Sequence, residues 1–242
     1  MNVTAADSMQ SQMQPYQFFE PVSCTYTYLL SDAETGDAIL IDPVDEAAEE
    51  YLDHLNQHGL HLRYIFETHV HADHVTAAAR LKQSTGAQTA APAGCGVSGA
   101  DFAILDGEIL RFGNEQIQVI HTPGHTPGSV SYSWRDCVFT GDALLIGGCG
   151  RTDFQGGDAG ALYDAITGRL FSLPEATRVF PGHDYHGRKA STIGDEKKSN
   201  PRLAGKSRAE FMQIMQNLNL APPKMIQIAV PANKLGGVRQ EA

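Results

Sequence analysis

A histidine-rich run between Thr68 and His74 holds the side chains of this chain that are best suited to chemistry. The run reads T-H-V-H-A-D-H and directly follows an apolar segment at residues 62–66. The chain has 10 histidines in 242 residues, so three within one short run indicate a shared role. Imidazole and carboxylate ligands together suit Zn, Fe and Mn. The run therefore predicts a metal site, and the alternative is a polar surface loop.

Three later segments each place a potential ligand directly after a β-like run and a glycine. They contain His125 in H-T-P-G-H, Asp142 in T-G-D and His183 in P-G-H. Glycine lets the backbone turn sharply, which a short side chain needs if it is to point inward from a strand end. The first run supplies the other candidate ligands, which are His69, His71, Asp73 and His74. The candidates thus come from four separate loops.

Strand-like and helix-like segments interleave along the chain and predict a mixed α/β fold. Strands are predicted at residues 26–30, 38–41, 62–67, 88–91, 109–120, 130–134, 137–140 and 177–180. Helices are predicted at residues 46–58, 75–83, 159–171 and 211–218. Turn residues after the first strand and at Gly113-Asn114 predict hairpins, so the sheets are not purely parallel. The histidine-rich run then lies in a strand-to-helix loop, where α/β proteins often build their sites.

Capping residues and turn signals set the predicted ends of these elements. Asp45 and Asp158 are expected to cap the helices that follow them, and Ser207 with Glu210 is expected to form a capping box. Residues 1–14 are polar and predict a flexible tail, and residues 15–242 are expected to form a single domain. Residues 225–242 are expected to pack along its surface as an extended segment.

The acidic composition narrows the classes of partner. A formal net charge of −10 and a pI near 5.4 argue against a nucleic-acid or anionic-membrane partner. The sequence has no run of about 18 apolar residues that would predict a membrane span. The first basic residue is Arg63, which argues against a secretory or transit peptide and favours a cytoplasmic protein. The scattered cysteines, Cys24, Cys95, Cys137 and Cys149, predict reduced thiols.

The order of these ligands resembles the metallo-β-lactamase superfamily, whose H-x-H-x-D-H motif is followed by a further His, Asp and His. The resemblance runs through most of the chain. It implies an αββα four-layer sandwich, in which two β-sheets pack face to face, helices cover both outer faces and the metal lies at one edge. Composition and periodicity alone predict only a mixed α/β protein. The motif defines the reaction class weakly, because hydrolases and oxidoreductases share it.

Other segments resemble the persulfide dioxygenases of this superfamily. These are G-C-G-R-T-D-F-Q-G-G at residues 148–157, H-D-Y-H-G at residues 183–187, and the N-L-N-L and V-P-A-N runs near the C-terminus. The resemblance implies one Fe(II) per chain, held by His69, His125 and Asp142. It implies that glutathione persulfide and O₂ are the substrates, and that sulfite and glutathione are the products. Two histidines and one carboxylate leave coordination positions open on the metal, as oxygenases require.

The remaining candidate ligands have a supporting role in this interpretation. His71, Asp73, His74 and His183 are implied to hydrogen-bond to the ligands or to be the remnant of a second metal position. Their equivalents hold metal in the binuclear hydrolases of the same fold, and the sequence permits both arrangements. A supporting role is physically reasonable, because metal ligands need hydrogen-bond partners that fix their tautomer and orientation.

The two carboxylates of glutathione require cationic side chains. Arg151 in the glycine-rich segment is the leading candidate, and Arg188 and Lys189 are further candidates. Arg151 can instead hydrogen-bond to carbonyl groups of its own loop. Tyr185 is a candidate hydrogen-bond donor to the substrate or to oxygen, with simple aromatic packing as the alternative.

Two other functions remain open at the level of sequence. The first is a glyoxalase-II-like hydrolase, in which two metals activate water against a glutathione thioester. The T-D-F-Q-G-G segment and H-D-Y in place of an expected H-E-Y argue against it. The second is a metal-binding protein without catalytic activity. The resemblance also suggests a homodimer.

Overall fold

The apolar runs form two six-stranded β-sheets in the computed structural model, which describes residues 14–239. The flexible tail predicted for residues 1–14 therefore lies outside the described residues, apart from its last one. The first sheet has the order β1 (Tyr16–Glu20), β2 (Thr25–Ser31), β3 (Asp37–Ile41), β4 (His61–Phe66), β5 (Gln88–Pro92) and β6 (Phe102–Ile104). Its first three strands are antiparallel, and β3 to β6 run parallel.

The second sheet contains the later strands in reverse order. They are β7 (Ile109–Phe112), β8 (Glu115–His121), β9 (Val130–Trp134), β10 (Cys137–Gly141), β11 (Arg178–Pro181) and β12 (Ser191–Thr192). Only β10 and β11 pair in parallel, and the other neighbours are antiparallel. Gly113-Asn114 forms the predicted hairpin turn between β7 and β8, with Gly113 at a φ of +55°.

Helices cover both outer faces of the paired sheets. The structure has α1 (Ala48–His58), α2 (Ala78–Thr85), α3 (Ala159–Ala165), α4 (Ile193–Ser199), α5 (Arg208–Gln216) and α6 (Ile226–Lys234). The first two pack on the first sheet, and α3 to α5 pack on the second. This is the αββα four-layer sandwich that the resemblance implied.

Alternating side chains of β3 show how the sequence builds three buried layers. Ile39 and Ile41 point into the core between the two sheets, whereas Ala38 and Leu40 point towards α1 and α2. All four are fully buried, because successive side chains of a strand face opposite sides and both faces of this strand are covered.

Several helix boundaries differ from the predictions for local reasons. Asp45 lies in a short 3₁₀ turn that precedes α1 and therefore does not cap that helix. The second helix begins at Ala78 and not at residue 75, because the residues before it bond to the segment after β3. The Val75 carbonyl accepts from the N–H of Asp45, and the N–H of Ala77 donates to the Pro43 carbonyl. Asp158 does cap α3, which continues as a π-helix over Ile166–Leu170.

The C-terminal region contains the largest departure from the sequence-based prediction. The extended segment expected from residue 225 onwards is a helix, α6, which contains Pro231. Ala229 and Ala232 of this helix pack on Val75, and that burial outweighs the local penalty of an internal proline. The capping box of Ser207 and Glu210 is present and starts α5 directly at residue 208.

No helix between residues 14 and 239 is long and apolar enough to cross a membrane. All four cysteines of the chain are free, as predicted.

Candidate metal centre

Four strand ends meet at one edge of the sandwich and bring the candidate ligands together. His69 follows β4, His125 follows β8, Asp142 follows β10 and His183 follows β11. In each case the side chain lies within four residues of the strand end. The strands thus fix the start of every loop, and only short segments separate the ligands from the rigid sheets.

Gly141 shows why glycine precedes a ligand here. Its φ is +48°, in the left-handed region that favours glycine. A Cβ at this position would come within 2.4 Å of the Thr68 hydroxyl oxygen. The residue before Asp142 therefore has no room for a side chain.

His69, His125 and Asp142 form a compact group of potential ligands. One ligand atom from each lies within 4.8 Å of the others. Nε2 of His125 is 3.7 Å from Oδ2 of Asp142, and the rings of His69 and His125 are 4.8 Å apart and nearly perpendicular. This geometry lets both rings and one carboxylate face a common point.

Hydrogen bonds fix the tautomers of the two imidazoles. The Thr68 hydroxyl donates to Oδ2 of Asp42 at 2.7 Å, so its oxygen accepts from Nδ1 of His69 at 2.9 Å. Nδ1 of His125 donates to the Arg151 carbonyl at 2.7 Å. A neutral imidazole that donates from Nδ1 keeps a lone pair on Nε2. Both Nε2 atoms are therefore free to bind a cation.

Charge and burial hold these groups in the forms that bind metal. Burial, with the nearby imidazoles of His71 and His125, lowers the pKa of His69 well below its usual value. Burial alone would raise the pKa of Asp142, but its contact with His183 outweighs that effect and lowers it. At neutral pH these shifts favour a neutral His69 imidazole and an ionised Asp142 carboxylate.

A second group of polar side chains is joined to the first through Oδ1 of Asp142. Nδ1 of His183 is 2.7 Å from Oδ1 of Asp142, and its Nε2 is 2.9 Å from Oδ2 of Asp73. Asp73 in turn contacts Nδ1 of His74 at 2.9 Å. Although burial disfavours a charged ring, the two carboxylates raise the pKa of His183 well above its usual value. His183 therefore links both parts of the site as a double donor.

The structure adds two buried carboxylates that the sequence-based prediction missed. Nε2 of His71 lies 3.1 Å from Oδ1 of Asp42 and 3.3 Å from Oε2 of Glu67. Burial disfavours the charged ring of His71, yet these carboxylates raise its pKa well above the usual value. Asp42 directly follows the buried strand β3, and Glu67 directly follows β4. A position just after a strand is also what indicated the other site residues in the sequence. Asp42 and Glu67 thus lie next to His71 at the ends of two strands of the first sheet.

A cavity of about 530 Å³ opens from this edge of the sandwich. Asp73, His125, Asp142 and His183 line it. One wall consists of residues 220–224, and Phe154 and Leu145 also line it. Its mixture of apolar and polar lining residues is typical of small-molecule sites.

Arg151 lines this cavity, but its charge is already paired. The guanidinium makes a two-pronged contact with Asp153, with both N–O distances at 2.7 Å. It also donates to the Ala221 carbonyl and stacks on the Phe154 ring. Arg151 therefore connects the glycine-rich segment to the cavity wall, and the carbonyl that it binds belongs to that wall and not to its own loop.

The other predicted cationic residues lie elsewhere. Arg188 pairs with Asp184 at 2.8 Å, and Lys189 is exposed. Among the described residues, Arg188 and Lys189 are outside the cavity lining, whereas Arg202 and Lys224 are part of it. Arg202 stands in no motif that would have singled it out. Lys224 follows the N-L-N-L run, which could have indicated it.

Arg202 and Tyr185 are placed to contact a bound molecule. One guanidinium nitrogen of Arg202 donates to the Cys149 carbonyl at 2.6 Å, which is a neutral acceptor. Tyr185 is 67% exposed, and its ring stacks parallel to that of His183 with 6.2 Å between centroids. Cys149 itself is buried against Met215 and acts as packing.

The chain is similar in sequence and in structure to known proteins. A model of the metallo-β-lactamase superfamily matches residues 22–183. The human protein named persulfide dioxygenase ETHE1, mitochondrial, is 47% identical over 226 residues, which are 92% of this chain and 88% of the human protein. The crystal structure of ETHE1 from Myxococcus xanthus matches with a TM-score of 0.91 and 50% identity, covering 93% of this chain and 100% of that one.

A hydrolase is also among the relatives. The hydroxyacylglutathione hydrolase of Cereibacter sphaeroides is 34% identical over 186 residues, which are 75% of this chain and 71% of that protein. The similarity to the ETHE1 proteins therefore extends over more of the chain, at higher identity.

Proposed function

The chain belongs to the metallo-β-lactamase superfamily, and we propose that it is a persulfide dioxygenase that oxidises the outer sulfur of glutathione persulfide with O₂. The observation that carries this proposal is the close group of His69, His125 and Asp142, of which His125 and Asp142 also line the cavity. The similarity to ETHE1 proteins over most of the chain supports it.

We propose one metal ion per chain, held by His69, His125 and Asp142, although His71, Asp73 and His74 also lie close enough together to hold an ion. His69 and His125 each offer an unprotonated Nε2, and Asp142 offers Oδ2, because its Oδ1 is bonded to His183. We take the ion to be Fe(II), which in a site of this ligand type keeps coordination positions open and supplies electrons to O₂.

The contacts of His183 favour one metal over two. Both ring nitrogens are bonded to carboxylates, those of Asp142 and Asp73, which is the arrangement of a supporting residue. Thr25 also contacts this ring, with its hydroxyl oxygen 3.1 Å from Nε2. His183 thereby orients the Asp142 carboxylate towards the two histidine ligands.

The cavity wall suits a glutathione conjugate. Its two carboxylates are anions in a protein of net charge −10, so they need local cations. Arg202 and Lys224 line the cavity, and Arg151 holds the wall that carries Lys224. The segment from Leu220 to Pro223 adds apolar side chains to the cavity lining. We therefore assign carboxylate binding to Arg202 and Lys224 in place of Arg188 and Lys189.

The proposed reaction converts glutathione persulfide, O₂ and water into glutathione, sulfite and two protons. The outer sulfur loses four electrons, and O₂ gains them. The S–S bond breaks, and the inner sulfur leaves as the thiol of glutathione. Tyr185 is positioned beside His183 to donate a hydrogen bond to the bound substrate or oxygen.

Oxygen uptake tests this function directly. Protein loaded anaerobically with Fe(II) receives glutathione persulfide in an oxygen-electrode cell, and sulfite is measured at the end. We expect one sulfite for each O₂ consumed. A glutathione thioester serves as the second substrate, because its hydrolysis without oxygen uptake would identify a hydrolase of the same fold. Iron-loaded protein that binds persulfide but consumes no O₂ would refute the proposal.

The cellular location and the oligomeric state of the protein stay predictions. The cytoplasmic location and the homodimer rest on the sequence alone, and the mammalian relatives bear the word mitochondrial in their names.

A further inference from the structure

The segment that carries the histidine-rich run is irregular between the end of β4 and the start of α2. We call residues 67–77 the metal loop. Its backbone is held from outside by two side-chain amides that are distant in sequence, those of Asn233 and Gln155. Irregular backbone at a metal site must be fixed by such contacts, since it lacks the regular bonds of a helix or sheet.

Asn233 makes three hydrogen bonds to the metal loop. Its amide nitrogen donates to the carbonyls of His71 and His74, both at 2.9 Å. Its amide oxygen accepts from the backbone N–H of Thr76 at 2.9 Å. Asn233 is only 5% exposed, and its two N–H donors and its oxygen are all used. An asparagine fits here because it combines two donors and one acceptor on one short side chain.

Close packing keeps the Asn233 amide in place. A Cβ on Gly237 would come within 2.4 Å of the Thr76 carbonyl oxygen, so the chain after α6 lies directly against the metal loop. The backbone N–H of Ala79 donates to the Gly236 carbonyl at 3.0 Å. Val75 packs on Ala229 and Ala232 of α6. The C-terminal helix and the residues directly after it therefore pack against residues 75–79, which are the end of the metal loop and the start of α2.

Gln155 holds the other end of the metal loop. Its side-chain nitrogen donates to the carbonyl of Val70 at 2.8 Å. Its backbone φ is +50°, a conformation that costs a residue with a side chain and is kept where surrounding structure requires it. Gln155 also lines the cavity next to Phe154. The carbonyl that directly follows His69 is thereby tied to the cavity wall.

We propose that Asn233 and Gln155 are positioning residues that fix the backbone of the metal loop and thereby the direction of the His69 imidazole. The stretch of chain that ends at Asn233 begins with residues 220–224, which line the cavity. The same stretch therefore lines the cavity and hydrogen-bonds to the metal loop. Metal ligands must be held to within a few tenths of an ångström, because supporting contacts set ligand orientation and affinity. The inference rests on the metal site of the proposed function.

The variant Asn233→Asp tests this role with little change in size. Aspartate keeps the acceptor for Thr76 but loses both donors, so the carbonyls of His71 and His74 lose their partner. We expect metal affinity to fall by about 10–100-fold. We also expect the absorption spectrum of the Co(II)-loaded protein to change, and kcat to fall while the KM for persulfide stays within about threefold.

Gln155→Met and Leu55→Ala complete the test. Methionine matches the length of Gln155 without its donor, and this half-buried site remains open to test if Asn233→Asp fails to fold. Its expected result is weaker metal binding and a changed Co(II) spectrum. Leu55 is buried in α1 on the far side of the first sheet, so Leu55→Ala should lower the Tm and leave metal affinity and the Co(II) spectrum unchanged.

The outcomes separate this inference from the proposed reaction. Folded Asn233→Asp and Gln155→Met proteins with wild-type metal affinity and Co(II) spectrum would overturn the positioning role, whatever the enzyme catalyses. Weakened metal binding in both variants supports the role even if the wild-type protein consumes no O₂, because metal affinity is measured without turnover.

Discussion

Replacing Thr68 by valine removes one hydroxyl that sits between a buried carboxylate and a candidate ligand. The hydroxyl donates to Oδ2 of Asp42 and accepts from Nδ1 of His69, at 2.7 and 2.9 Å. Valine has nearly the same shape, so the change leaves no large cavity. It leaves the Asp42 oxygen and the His69 N–H without this partner. The backbone N–H of Thr68 still donates to Oδ1 of Asp42.

Two separate losses follow from Thr68→Val. Each buried group that loses its partner costs about 1–3 kcal/mol, so the free energy of unfolding of the metal-free protein should fall by about 2–6 kcal/mol. His69 also loses the contact that keeps its proton on Nδ1. Without it the ring can place the proton on Nε2, which cannot then bind metal. We expect metal affinity to fall by about 10–100-fold, as for other partners of metal-binding histidines.

Urea unfolding of the metal-free protein and competition against a chelator measure these two quantities. Thr68→Ser is the matched control, because serine keeps the hydroxyl and loses only a methyl group, worth about 1 kcal/mol. We expect Thr68→Ser to bind metal nearly as tightly as the wild type. Equal losses of metal affinity in the serine and valine variants would show that the hydroxyl does not fix the tautomer, and unchanged affinity in both would refute the reasoning.

Three further predictions concern the ligand set, the substrate and the fold. Asp142→Ala should abolish metal binding and activity together, and unchanged metal content by elemental analysis would refute the ligand assignment. Arg202→Leu should raise the KM for glutathione persulfide with little change in kcat, because it removes a contact with a glutathione carboxylate that is made both before and during the reaction. Steady-state oxygen uptake measures both constants, and an unchanged KM would contradict the assignment. Asp32→Asn should lower the free energy of unfolding at pH 7 by about 1–3 kcal/mol, because Asp32 accepts from the backbone N–H groups of Asn114 and Glu34. These bonds lower the pKa of Asp32, so the ionised carboxylate stabilises the folded protein above pH 3.8, and this stabilisation is lost as the pH falls through the lowered pKa. Urea titrations at several pH values test this. The same difference in stability between wild type and variant at every pH would contradict it.

The strand ends that carry the candidate ligands could be predicted from local sequence signals. The glycines before His125, Asp142 and His183 are visible in the sequence, and the strand ends can be read from the apolar runs. The resemblance then supplied the four-layer order of the elements. Local patterns predicted Asp158 and the Ser207 capping box correctly, since a cap depends on residues three positions apart.

The supporting contacts could not be predicted because they join segments distant in the chain. Asn233 lies 162 residues from His71, and no local pattern reports that bond. Helix α6 was missed for a related reason. Pro231 reads as a helix breaker, and the helix forms only because Ala229 and Ala232 are buried against Val75.

The cationic residues of the cavity show the same limit. Arg151 stands in a conspicuous motif, but its guanidinium is paired with Asp153. Arg202 has no motif around it, and it reaches the cavity only because the segment before α5 folds back over the glycine-rich loop. The sequence shows which cationic residues the chain has, but tertiary packing decides which of them line the cavity.

Stepwise addition of Fe(II) to metal-free protein under anaerobic conditions, followed by measurement of persulfide-dependent O₂ uptake after each step, tests the central claim most directly. A site made by His69, His125 and Asp142 predicts that the rate of O₂ uptake rises linearly and saturates at one iron per chain. A rate that requires a second equivalent of iron, or iron-saturated protein that consumes no O₂ with glutathione persulfide, would contradict it.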